Sequence, residues 1–275
     1  GDFNGETTYG VGEYQLTISK RWRDSAARAF LAPAMARPNL HVRIGALATR
    51  VLFESRRAVG VEWARGRSRE SARGAEIILA AGVLQSPQLL QLSGVGPAET
   101  LRAAGVAPRL DLPGVGENLQ DHYQARTIVR LKGQESLNDA VRDPVRLTRM
   151  GWDWLARGRG PLTIGAGQVG GAARTEHAAT QRPDIQFNVM PLSVDKPGDP
   201  LHRYSGFTAS MWQCHPRSRG RLVIARDDPF ADPRIEPRYL SDPHDRKVVA
   251  AGVRILREIY AQPAFRDLWD EEVLP

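Results

Sequence analysis

The stretch "AAGVLQSPQLLQLSGVGP", residues 80–97, decides how the rest of the chain is read. It grows out of "AEIILAAG" (75–82), which is apolar at every position from Ile77 to Ala81 and predicts a strand buried on both faces of a parallel sheet. Ser86-Pro87 then predicts a helix start, with a capping hydroxyl and a proline in the first turn, where its missing N–H costs nothing. Leu89, Leu90 and Leu92 are its expected buried stripe, and Gly94 its left-handed end. A second helix is expected over roughly 98–105, carrying Leu101 and stopping at Gly105. A strand-turn-helix unit of this kind suits a nucleotide-binding fold. The glycine-rich phosphate loop that opens such a fold is not next to it.

The one GxGxxG in the chain is formed by Gly165, Gly167 and Gly170 in "LTIGAGQVGGAART". That fingerprint needs a strand before it and a helix after it, so that the helix N-terminus faces a pyrophosphate. Only "PLTI" precedes it, and no acidic residue ends a second strand at the required distance. It reads as an accidental match.

Working outward toward the N-terminus, "RWRDSAARAFLAPAMA" (21–36) predicts a short helix capped at Asp24 or Ser25 and interrupted by Pro33. "NLHVRI" (39–44), "ATRVLFES" (48–55) and "AVGVEWARG" (58–66) predict strands, the last two forming a hairpin across Arg56-Arg57. "RGRSRESAR" (65–73) reads as an exposed hairpin tip. Toward the C-terminus the texture changes near residue 125. "ARTIVRL" (125–131), "DIQFNVM" (184–190), "GFTASMWQC" (206–214) and "GRLVIAR" (220–226) alternate in polarity, which predicts an antiparallel sheet with one face open to solvent or ligand. Helices are expected over 135–157 and 244–261, the latter amphipathic through Val248, Val249, Val253, Ile255, Leu256 and Ile259.

Composition narrows the function classes. Of the 275 residues 41% are hydrophobic and 25% charged, which describes a globular protein of one or two domains. The net charge of +7 is carried almost wholly by arginines scattered among acids, without aromatic interleaving, so nucleic acid is not an expected partner. Cys214 is the only cysteine, which excludes an intrachain disulfide. No apolar run reaches the roughly 20 residues that span a bilayer, and "GDFNGETTYG" lacks the features of a signal peptide. A cytoplasmic location is the expectation, and a chain that begins with Gly fits a processed product or a fragment. The six histidines show no paired spacing with cysteines or carboxylates, so no metal site is expected. His215 is isolated, and Cys214 reads as a buried thiol. No GxSxG elbow, P-loop or HExxH is present.

"DLPGVGENLQDH" (111–122) remains. Pro113, Gly114 and Gly116 force a tight backbone, and Asn118, Gln120, Asp121 and His122 crowd polar groups after it. Such a loop is either a surface turn with a capped helix start or a wall packed against a flat polar ligand.

Together these segments resemble the glucose-methanol-choline (GMC) family of FAD-dependent oxidoreductases, especially its choline- and alcohol-dehydrogenase-like members. "GVLQSPQLLQLSGVG" (82–96) is similar to the family's second signature, with Val83 where a small residue is usual. "DLPGVGENLQDH" matches another family stretch, and "RRAVGVEW", "PDIQFNVMP", "PRSRGRLVIA" and "ADPRIEPRYLSDPHD" follow in family order. The resemblance implies a fold that is α/β plus α+β. Residues 1–34 would be a connector with a short helix, 35–124 a partial FAD-binding Rossmann-like domain, and 125–275 a substrate-binding domain built on an antiparallel sheet. It implies cofactor contacts at Ala48, Ala81, Gly82 and Asn118, and a substrate cavity backed by Gln186, Asn188 and Met190.

The implied activity is oxidation of a primary alcohol to an aldehyde, with hydride passing to FAD while a histidine takes the hydroxyl proton. The family's pyrophosphate loop is expected upstream of this chain, and its catalytic His-Pro motif beyond Pro275. The chain alone is then expected to be inactive and unable to hold FAD. The resemblance leaves the alcohol and the electron acceptor open. The competing expectation is a non-catalytic binding or assembly module, or one half of a split enzyme.

Overall fold

In the computed structural model, all residues are described except 1–4, 7, 20, 164, 166, 197 and 275. In chain order, strand β1 (Gly10–Glu13) precedes β2 (Leu47–Glu54), β3 (Arg57–Arg65) and β4 (Ser68–Arg73). Helices α1 (Gly82–Leu92) and α2 (Ala98–Ala103) follow, then β5 (Gln124–Leu131), α3 (Leu137–Arg142) and α4 (Pro144–Trp152). The remainder is β6 (Val169–Ala173), β7 (Ile185–Met190), β8 (Gly206–Gln213), β9 (Arg221–Val223), β10 (Arg234–Glu236), α5 (Pro243–Tyr260) and β11 (Trp269–Leu274). These elements form two units, one of residues 1–37, 122–217 and 242–275, the other of 38–121 and 218–241. Residues 218–241 therefore group with 38–121, although the sequence places them in one domain with the rest of 125–275.

The larger unit is a six-stranded antiparallel sheet in the order β1-β6-β7-β8-β5-β11. Alternation along each strand sends one set of side chains to either face. On one face Val129, Ile185, Phe187, Phe207, Ala209 and Met211 form a core with Val248, Leu256 and Tyr260 of α5. The helix comes so close that a β-carbon at Gly252 would lie 2.0 Å from the Met211 methyl. At its N-terminus the buried Asp245 accepts hydrogen bonds from Gln213 Nε2 at 3.0 Å and the Arg217 backbone N–H at 2.9 Å. The helix expected over 135–157 is two helices, because Asp143 caps a new start with Pro144 in its first turn.

The smaller unit has a three-stranded antiparallel sheet, β2-β3-β4, so the expected hairpin is present and "RGRSRESAR" supplies a third strand beyond its tip. Helix α1 lies against β2, where Ser93 Oγ accepts the Val51 N–H at 2.8 Å. Leu92, Leu101, Ala104, Val106 and Ile224 make its core, and Val95–Gly96 pairs in parallel with Leu110–Asp111.

Several expectations fail in this unit for physical reasons. Residues 75–81 form no strand, and Ile78 is 81% exposed. A strand buried on both faces needs partners at its edges, and among the described strands none pairs with it. Residues 39–44 likewise form no strand. Helix α1 begins at Gly82 rather than at Ser86, so Pro87 lies inside it, and Ser86 Oγ reaches back to accept the Ala81 N–H at 3.1 Å. Its buried positions are Leu89, Gln91 and Leu92, with Leu90 only half-buried. Gly94 ends the helix as expected, at φ +83°.

Candidate functional site

Gln91 is fully buried and organises the smaller unit. Its Nε2 donates to the carbonyls of Val115 and Leu222, both at 3.1 Å, and its Oε1 accepts the Ile224 N–H at 2.8 Å. One side chain thus ties α1 to β9 and to the loop of residues 112–121. Gly116 makes this possible, because a β-carbon there would lie 2.2 Å from the Leu222 carbonyl oxygen. The loop then presents Asn118 to solvent with φ +62°, a left-handed conformation that asparagine tolerates better than most residues.

The four residues expected at the cofactor all lie on elements that meet α1. Ala48 is on β2, opposite Trp63; Ala81 and Gly82 start α1; Asn118 follows the clamped loop. All four are exposed. Gly82 has φ +83° and nothing within 4 Å of where a β-carbon would stand, so its backbone is bare and open. Small side chains and bare backbone suit close approach by the flat ring systems and phosphates of FAD, and these residues fit that group.

In the larger unit, Gln186, Asn188 and Met190 lie on the sheet face opposite α5. Gln186 stands between Ala172 and Trp212 in register, Asn188 between Gly170 and Ser210, and Met190 next to Thr208. Tyr14 donates to the Phe187 carbonyl at 2.8 Å and accepts from Gln186 Nε2 at 3.3 Å. Burial raises the Tyr14 hydroxyl above its ordinary pKa. The buried Asn188 Oδ1 and Ser210 Oγ have no hydrogen-bond partner among the described residues. A cavity of about 600 Å³ opens where β6 begins and β7 ends, lined by Ser136, Arg146, Thr163, Gln168 and Pro191 among others. Sequence reasoning missed Tyr14, Ser210 and Trp212, whose place on this face follows only from strand register.

The GxGxxG segment is not a nucleotide loop. It runs into β6 rather than a helix, and Gly170 leaves room for Tyr14, whose hydroxyl oxygen lies 2.2 Å from a β-carbon placed there. Ile164 and Ala166, within the same stretch, lie outside the described residues. Burial first, and then the charge of Asp184, push the Cys214 thiol up to about 11, which leaves it protonated and unreactive near neutrality. His122 Nε2 is 3.1 Å from the Cys214 carbonyl, a structural contact. Among the described residues no three of His, Cys, Asp or Glu group to hold a metal ion.

Comparison with known proteins matches two family models in order, both described as GMC oxidoreductase, over residues 1–124 and 216–275. An alcohol dehydrogenase [acceptor] of Pseudomonas putida is 36% identical over the whole chain, which covers 50% of that protein. An oxygen-dependent choline dehydrogenase of Staphylococcus aureus is 34% identical, again over the whole chain and 48% of the relative. The chain spans about half the length of the curated relatives it matches. Among solved structures, pyridoxine 4-oxidase from Mesorbium loti superposes with a TM-score of 0.80 at 25% identity, covering 97% of this chain and 48% of that one. Formate oxidase of Aspergillus oryzae, solved in a study of its FAD modification, gives 0.85 at 21%, covering 94% and 49%. These matches support FAD as the cofactor and a fold that joins a partial Rossmann-like domain to an antiparallel-sheet domain. With both models matched in order and identity running from end to end, the chain belongs to the GMC oxidoreductase family.

Proposed function

We propose that the protein to which this chain belongs oxidises the CH–OH group of a small alcohol to a carbonyl, with FAD as the hydride acceptor. The observation that carries this reading is the 36% identity over the whole chain to an alcohol dehydrogenase [acceptor]. FAD, when bound, supplies the redox chemistry; the residues of this chain bind, orient and enclose. Ala48, Ala81, Gly82 and Asn118 offer backbone and small side chains to the cofactor. Gln186, Asn188 and Met190 form a substrate wall of two amides and a thioether, with Arg126 at the register position next to Ser210. That face orients an alcohol without deprotonating it, since its register positions on β6, β7, β8 and β5 hold no histidine or carboxylate. The group that takes the proton is not among these register positions. The cytoplasm is the proposed compartment, a reading supported by the single cysteine.

The test is a dye-reduction assay on the longer polypeptide encoded around this chain, run against choline, aliphatic and aromatic alcohols. Alcohol-dependent dye bleaching with a flavin absorbance band is the expected result. A flavin-free protein, or one that bleaches dye with none of these alcohols, overturns the reading. The 275-residue chain by itself is expected to purify without flavin.

A further inference from the structure

Helix α4 carries its apolar side chains on the wrong side for a core. It continues past Trp152 into a wider π-helical turn, Asp153–Arg157, giving one rod from Pro144 to Arg157. One side of the rod holds to the protein: Trp154 Nε1 donates to the Arg21 carbonyl at 3.2 Å, and its ring meets Trp22 edge-on at 4.9 Å. Val145 is 78% exposed, Trp152 62% and Leu155 59%. Val145 and Trp152 are seven positions apart, two helical turns, so they stand one above the other and point away from the protein.

Arginines border this apolar strip. Arg146 and Arg149 project next to it, and Arg157 and Arg159 follow in sequence. Arg146 and Arg157 are ion-paired with Glu135 and Asp153, but Arg149 and Arg159 have no ion pair among the described residues. Trp22, by contrast, belongs to the inward side of the rod through its contact with Trp154. Basic and apolar side chains in adjacent sectors of a short exposed helix match an anionic bilayer surface, where the apolar strip enters the headgroup region and guanidinium groups meet phosphates. Tryptophan is suited to that depth.

We propose that the outward face of residues 144–157 docks this protein on an anionic lipid surface without crossing it. A strip one helix wide, with three large apolar side chains, falls short of the roughly 800 Å² per partner of a stable protein interface. Shallow insertion of one amphipathic helix, reinforced by charge, needs no such area. The chain's net charge of +7 acts in the same direction.

The test is flotation of the purified chain with phosphatidylcholine vesicles, with and without phosphatidylglycerol, at low and high salt. The chain is expected to float with the phosphatidylglycerol vesicles and to be released by salt. The combined variant Val145→Glu, Trp152→Glu, Leu155→Glu should lose about tenfold or more of that binding. The pair Arg149→Ala, Arg159→Ala leaves the apolar strip and the fold intact and should weaken the salt-sensitive part alone. Equal flotation of wild type and both variants overturns the proposal. So does light scattering that finds a wild-type dimer which the glutamate variant dissociates, since the strip is then an interface between copies.

Discussion

Asp139 shows how one carboxylate can set an acid limit on a whole loop system. Burial alone pushes its carboxyl up, but hydrogen bonds from the Ser136 backbone, the Ser205 hydroxyl and Arg142 outweigh burial and bring it to about 2 from an ordinary 3.8. A folded pKa below the unfolded one means stability that is fully present above about pH 4 and is lost as pH falls toward 2. Asp139→Asn should therefore lower stability near neutrality by up to roughly 2 kcal/mol and flatten the fall between pH 4 and 2, measured by urea unfolding across that range. Gln91 is the other single residue on which much rests. Gln91→Leu would take the side-chain partner from two buried backbone groups and one half-buried one and should cost about 2–4 kcal/mol, seen as a drop in urea midpoint. Hydrophobic periodicity cannot reveal a buried glutamine. It assigned the stripe to Leu90 instead, because a polar side chain counts as outward until its partners are known.

At the scale of elements, the legible pieces were those whose partners lie close in sequence or whose pattern is long. The β2–β3 hairpin and α5 carry their own period and needed nothing distant. The run 75–81 also carried a strong pattern, yet apolar composition alone makes no strand without an edge to pair with. Ile78→Lys is therefore expected to change the stability of this chain by no more than about 0.5 kcal/mol, the range of an exposed substitution, in a urea titration. A loss of several kcal/mol would mean that the segment is buried after all. The break at Asp143-Pro144 is readable in the sequence as a cap followed by a first-turn proline, which divides the single helix expected over 135–157.

For the whole molecule, the antiparallel sheet was visible in the alternating apolar runs, whereas the class of fold was legible only through the family resemblance, since the one continuous apolar run, 75–81, forms no strand. The interleaving of the two units was not legible, since residues 218–241 look like any other strand pair until Leu222 and Ile224 are seen against Gln91. The candidate site divides in the same way. Glycines and small residues next to a helix start announce themselves in one dimension, whereas Tyr14, Ser210 and Trp212 reach their face only through pairing across the sheet. The far edge of that sheet gives a test at this scale. Ending the chain at Ala261 removes β11 and leaves β5 as a bare edge, so the shortened chain should aggregate on refolding where the full chain does not, as followed by light scattering.

The strand order has a further consequence in time. The opposite edges of one sheet, β1 and β11, lie far apart in the sequence, and β1 pairs with residues that follow it by about 160 positions. During synthesis at about 5–20 residues per second, β1 waits on the order of ten seconds for its neighbour β6. "GVGE" is a poor strand former with little apolar surface, which keeps that wait safe: unpaired, it offers almost nothing for a wrong partner to grip.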